Sequence, residues 1–121
     1  MKQRIETLLR ENIHGVFGEP DAQKRRATIA RLWADDGIFV DHNALYEGHA
    51  GVEHAAASLV NKFPDFTFTE HGEIQVIEGA GKLDWGFGPV GAAEVVTGTD
   101  ILVTKGDKIG AIYTFLDPAK K

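Results

Sequence analysis

Leu32-Trp33-Ala34-Asp35-Asp36-Gly37-Ile38-Phe39-Val40-Asp41 is the stretch on which the fold turns. Its first residues close an amphipathic helix whose buried edge is Ile29, Leu32 and Trp33, and Ile38-Phe39-Val40 reads as a short strand whose apolar run stops at a carboxylate. Between them, Gly37 suits a backbone that needs a positive φ. Upstream, Ile5, Leu8, Leu9, Ile13, Val16 and Phe17 recur at spacings of three and four over residues 2–17, which gathers them on one stripe of a first helix. Gly18-Glu19-Pro20 breaks that helix, and Asp21 stands where its side chain can cap the free N–H groups of the second, which runs to about Ala34.

Downstream, the polar connection Asp41 to Gly51 leads to a third helix with Val52, Ala55, Ala56, Leu59, Val60 and Phe63 on one stripe, ended by Pro64. The period then changes to two. Phe66 and Phe68, Ile74 and Val76, Leu83 with Trp85 and Phe87, the run Val95 to Val103, and Ile109 with Ala111, Tyr113 and Phe115 each alternate with polar or small residues. Lys105-Gly106-Asp107-Lys108 is a tight hairpin. Three helices followed by a meander of strands predict one α+β domain over residues 1–121, a curved antiparallel or mixed sheet covered on one face by three N-terminal helices.

The 121 residues contain no cysteine, which removes disulfides, thiolate nucleophiles and sulfur-ligated zinc. The formal net charge of −5 argues against nucleic acid, since phosphate binding needs clustered cations. The one basic cluster, Lys24-Arg25-Arg26, reads as a solvated helix face. No apolar run approaches the roughly 18 residues of a membrane span. The start, Met1 to Glu6, lacks the apolar core of a secretory signal, so the chain is expected in the cytoplasm. His42, His49, His54 and His71 show no ligand spacing of a known metal site, and no metal is expected. Gly86-Phe87-Gly88-Pro89-Val90-Gly91 matches a dinucleotide fingerprint by letter, but it lies between strands and reads as a turn.

Two carboxylates carry the chemistry. Asp100 interrupts the most hydrophobic strand of the chain, where burial would raise its pKa and make it a proton donor or acceptor near neutrality; it could equally be a structural aspartate bonded to Tyr113, a histidine or backbone N–H groups. Asp41 is a candidate base at a pocket rim or a turn residue accepting N–H bonds. His42 and His49 are possible proton shuttles. Trp33, Tyr46, Trp85, Tyr113 and Phe17 are candidate pocket aromatics, with Trp85 and Tyr113 expected nearest a ligand.

Trp33-Ala34-Asp35-Asp36-Gly37, the strand ending in Asp41, Tyr46-Glu47-Gly48-His49 before a helix, Phe63-Pro64-Asp65-Phe66, Gly98-Thr99-Asp100 and Lys108-Ile109 to Phe115-Leu116-Asp117 together resemble the SnoaL-like branch of the NTF2-like superfamily over nearly the whole chain. The resemblance implies a cone-shaped fold with a deep pocket between sheet and helices, and a homodimer. It also implies roles: Asp41 falls at the general base of ketosteroid isomerases, and Asp100 at their protonated oxyanion-hole acid, which in SnoaL-like polyketide cyclases is the acid/base itself. Three departures count against the other known chemistries. No tyrosine occupies the stretch Asn12 to His14, so an isomerase oxyanion hole would need His14 or Tyr113 instead. The epoxide hydrolase positions read Gly98 and Thr114. The paired tyrosines and histidines of scytalone dehydratase have no counterparts at the right spacing.

The expectation is therefore a small-molecule pocket protein, acting if catalytic as a cofactor-free isomerase or cyclase on an apolar carbonyl compound. Asp100 would be its acid/base, Asp41 or His42 its second proton partner, and Trp85, Tyr113, Tyr46, His14, Phe17 and Trp33 its binding surface. The rival is a non-catalytic ligand-binding or dimeric interaction module on the same fold. A homodimer is expected through the outer face of the sheet.

Overall fold

The computed structural model describes residues 1–118. Helices α1 (Lys2–Asn12), α2 (Ala22–Leu32) and α3 (Gly48–Lys62) cover one face of a curved six-stranded sheet, which comprises β1 (Trp33–Val40), β2 (Leu45–Glu47), β3 (Phe66–Ile77), β4 (Ala80–Pro89), β5 (Val96–Lys105) and β6 (Lys108–Leu116). The strand order is β2-β1-β6-β5-β4-β3. All neighbours are antiparallel except β1 and β6, which run parallel, so the sheet is mixed. None of the helices is long and apolar enough to cross a membrane, among the described residues.

The apolar stripes meet where their spacing places them. Ile5, Leu8 and Leu9 of α1, Ile29 and Leu32 of α2, Val52 and Ala56 of α3 and Leu83, Leu102 and Ile112 of the sheet share one core. Asp21 caps α2, its carboxylate accepting from the Lys24 N–H at 2.8 Å. Arg25, buried on α2, grips Glu53 of α3 with two bonds of 3.0 and 2.9 Å and donates to the carbonyls of Glu19 and Pro20. One guanidinium thus ties the turn before α2 to the helix that walls the site.

Several boundaries differ from the sequence reading. The first helical stripe is two elements: α1 stops at Asn12, and Ile13–Phe17 winds as a π-helix, which keeps Ile13, Val16 and Phe17 facing inward. Helix α2 ends at Leu32, and Trp33 already belongs to β1, paired with Ile109. Gly37 does not take a positive φ. Its requirement is space: a Cβ there would stand 2.8 Å from Trp33 Cε3 and 3.1 Å from the Ile109 carbonyl, so glycine lets the strand lie against the indole. The connection after Asp41 holds the short strand β2, α3 starts at Gly48 rather than Val52, and β3 is one strand with an irregularity between His71 and Gln75.

Candidate functional site

Sheet and helices together line a partly open cavity of about 490 Å³, within the range of small-molecule sites. Alternation in the strands supplies its walls. Phe66 and Phe68 of β3 and Trp85 and Phe87 of β4 point in from one side, with Phe68 edge-on to Trp85 at 5.3 Å and 4.4 Å from Phe87 between ring centroids. Phe17 of the π-helix and Phe39 of β1, 4.6 Å apart, face them together with Tyr46 of β2. Ala55, Ser58, Leu59 and Lys62 of α3 close the remaining side.

Asp100 lies on this surface, 6% exposed. It sits directly across from Leu83 on β4 and Thr114 on β6. Thr114 Oγ1 donates to Asp100 Oδ1 at 2.7 Å, and Trp85 Nε1 donates to the same oxygen at 3.0 Å. Trp85 reaches it because its register partner on β5 is Gly98: a Cβ at that position would stand 2.6 Å from Trp85 Cζ2, so the bare backbone gives the indole its bed. Burial pushes the Asp100 carboxyl up to about 6, against the opposing pull of the Thr114 and Trp85 hydrogen bonds. No cationic side chain pairs with it among the described residues. Both donors end on Oδ1, so Oδ2 is the oxygen left for proton exchange with a cavity occupant.

Asp41 and His42 line the same cavity from the loop between β1 and β2, nearer solvent. Asp41 Oδ1 accepts the N–H groups of Asn43 at 2.8 Å and Ala44 at 3.1 Å, an Asx turn that reverses the chain into β2. The turn role weighed in the sequence is thus present, with the residue still at the cavity margin. His49 is turned away from the cavity lining, its Nε2 2.9 Å from the Trp33 carbonyl.

Trp85, Phe17 and Tyr46 line the cavity, whereas three other anticipated lining residues do not. Trp33 is fully buried beneath it, its Nε1 donating to Asn12 Oδ1 at 2.9 Å, and serves as core. His14 lies on the outside of the helical layer, 2.7 Å from Glu70 Oε2. Tyr113 is 37% exposed on the opposite face of the sheet. Its outward orientation has a definite origin. Val103 pairs with Ala111 but Thr104 pairs with Ile109, so Gly110 is an extra residue in β6. That bulge flips the alternation, and Ile112 and Thr114 face inward while Tyr113 faces out. Neither His14 nor Tyr113 therefore lines the cavity.

Lys62 and Ser58 have no role in the sequence reading, and Thr114 enters it only as a departure from the epoxide hydrolase pattern. Thr114 was hidden by the bulge. Ser58 and Lys62 stand one turn apart on the face of α3 that also carries Leu59, a face read only for its apolar residues.

No protein-family model matches this sequence, and neither does any curated protein. Solved structures do. A proposed isomerase of the SnoaL-like family from Agrobacterium tumefaciens strain C58 superposes with a TM-score of 0.88 at 22% identity, covering 96% of this chain and 99% of that one. A proposed SnoaL-like polyketide cyclase from Jannaschia sp. CCS1 gives 0.78 at 16% identity over 96% and 86%. A de novo designed protein with a curved β-sheet gives 0.76 at 16% identity over 98% and 88%. The chain therefore has the cone-shaped α+β fold of SnoaL-like, NTF2-like and cystatin-like proteins.

Proposed function

We propose that the chain binds a small, mostly apolar carbonyl compound in this cavity and that Asp100 moves a proton at the carbon next to the carbonyl. The observation that carries the reading is a carboxyl group at about 6, buried in an aromatic cavity, with one oxygen held by Thr114 and Trp85. At pH 7 about nine-tenths of such a group is ionised, so it can take a proton, and its conjugate acid is strong enough to return one. Oδ2 accepts the α-proton, the electron pair moves into an enolate, and the proton goes back to a different carbon in an isomerisation. In a cyclisation the enolate carbon instead attacks a second carbonyl of the same molecule, the C=O π pair moves onto its oxygen, and that alkoxide takes the proton back from Oδ2. Asp41 or His42 at the margin is the second proton partner, and no metal or organic cofactor enters these steps. The neighbours described as isomerase and cyclase are consistent with either outcome.

A non-catalytic binding role is the second reading, favoured by one feature. The donors beside Asp100, Trp85 Nε1 and Thr114 Oγ1, are both spent on its carboxylate, so an enolate oxygen would have to draw its hydrogen bond from elsewhere on the lining, such as Tyr46 or Ser58. Incubating 2-tetralone with the protein in deuterated buffer and following α-proton exchange by NMR separates the two. Catalysis requires exchange above the buffer rate that rises as pH passes about 6 and falls to the buffer rate in Asp100→Asn. Equal rates for both proteins, with 2-tetralone bound, leave only the binding role. We further propose a cytoplasmic homodimer joined through the outer sheet face, where Val103, Tyr113 and Phe115 are exposed. Sedimentation showing a monomer at micromolar concentration rules that assembly out.

A further inference from the structure

We propose that the occupant of this cavity carries an anionic group at the end remote from Asp100, and that Lys62 is the residue that selects it. The inference rests on the cavity being the ligand site and adds the chemical class and orientation of what enters.

The charges lining the cavity are unevenly placed. Aromatic rings and one buried carboxylate make the interior, and the ionisable groups at the solvent side are Asp41, His42 and Lys62. Lys62 is the only permanently cationic side chain among the described lining residues. Its ammonium stands 5.6 Å from the centroid of the Phe63 ring, itself part of the cavity wall and edge-on to Phe87. Among the described residues no carboxylate pairs with it; Lys2, Lys24, Arg26 and Lys82 share that freedom, but Lys62 alone of them lines the cavity. Ser58, one turn back on the same helix face, adds a hydroxyl beside it.

Like-charge repulsion fixes the direction. An acid group cannot be driven against the buried carboxylate of Asp100, which no cation offsets, so an aromatic or polycyclic acid enters ring first and leaves its charge at Lys62. Asp41, also on the lining, opposes this attraction, but its carboxylate is held against the N–H groups of Asn43 and Ala44 and the Lys62 ammonium has no such partner. The competing account is that Lys62, as the last residue of α3, merely complements the negative end of the helix. That role would make the lysine matter for stability and leave ligand preference untouched.

The test is a matched pair of probes, 2-naphthoate and 2-acetonaphthone, which share a ring and differ in charge. Each is titrated by quenching of tryptophan fluorescence, to which Trp85 responds in the cavity and buried Trp33 gives a constant background. Wild type binds the acid about fivefold more tightly than the ketone, the size of a partly solvated ion pair. Lys62→Gln abolishes the preference, Lys62→Glu reverses it, Lys62→Arg keeps it, and ketone affinity stays within twofold throughout. The preference shrinks at 0.5 M salt. Ketone binding with the same acid-to-ketone ratio in wild type and Lys62→Gln overturns the inference and leaves the cavity as a ligand site. Failure of wild type to bind either probe overturns both.

Discussion

Asp100→Asn should make the protein more stable at neutral pH while removing the proton transfer proposed above. The folded chain keeps the Asp100 proton up to about pH 6, whereas an unfolded chain releases it near 3.8. Between those values the native state binds more protons than the unfolded one, so this group's contribution to stability falls as pH rises through the window and is level above it. At 1.36 kcal/mol per pH unit the ionised carboxyl costs the folded state about 3 kcal/mol by pH 8. Asparagine has the same shape and still accepts from Trp85 Nε1 and Thr114 Oγ1, but it has no charge to bury. Part of the cost returns as weaker hydrogen bonds to a neutral acceptor, which leaves a gain of about 2 kcal/mol, or roughly 6–10 °C in Tm for a chain this long. The assay is thermal unfolding of both proteins at pH 4 and pH 8. The variant should melt higher at pH 8 and together with wild type at pH 4. A variant less stable at pH 8, or an equal difference at both values, would refute the reasoning and make Asp100 a structural acceptor.

Two further substitutions probe how the site is held. Gly98→Ala puts a methyl group where the Trp85 ring and the Phe115 carbonyl lie 2.6 and 2.7 Å away, so it should cost about 1–3 kcal/mol in urea unfolding. By pulling Trp85 Nε1 off Oδ1 it should also raise the Asp100 carboxyl further, read by NMR titration. Arg25→Ala leaves Glu53 behind in a largely buried position and should cost about 3–5 kcal/mol, while the paired change Arg25→Met with Glu53→Leu should recover most of that in the same unfolding assay.

The inner surface of β5 was legible because a lone acid in an apolar run has a steep cost that must be met by partners or put to use. Asp100 stood out for that reason, and the aromatic alternation of β3 and β4 placed Trp85 and Phe87 with it. What period-two reading could not reach was the single extra residue at Gly110, since a bulge is set by pairing between strands and leaves no local mark. One residue of slip exchanged Tyr113 for Thr114 at the centre of the site. The π-turn at Ile13–Phe17 was invisible for a similar reason: its apolar positions satisfy a helical stripe almost as well as an α-helix does. Asp41 was ambiguous in the sequence and serves the turn in the fold. Lys62 was overlooked because a polar residue on an apolar helical face looks like solvent-side filling until a cavity is seen beside it.

The proposed chemistry requires one carboxyl to exchange its proton near neutrality inside an apolar cavity, and the most direct measurement is a pH titration of the Asp100 side-chain carboxyl by carbon-13 NMR, assigned by comparison with Asp100→Asn. A midpoint at about 6 is the predicted result. A midpoint near 3.8, the ordinary aspartate value, would contradict it, for the carboxyl would then be well solvated or fully compensated and without the proton affinity on which the proposed chemistry depends.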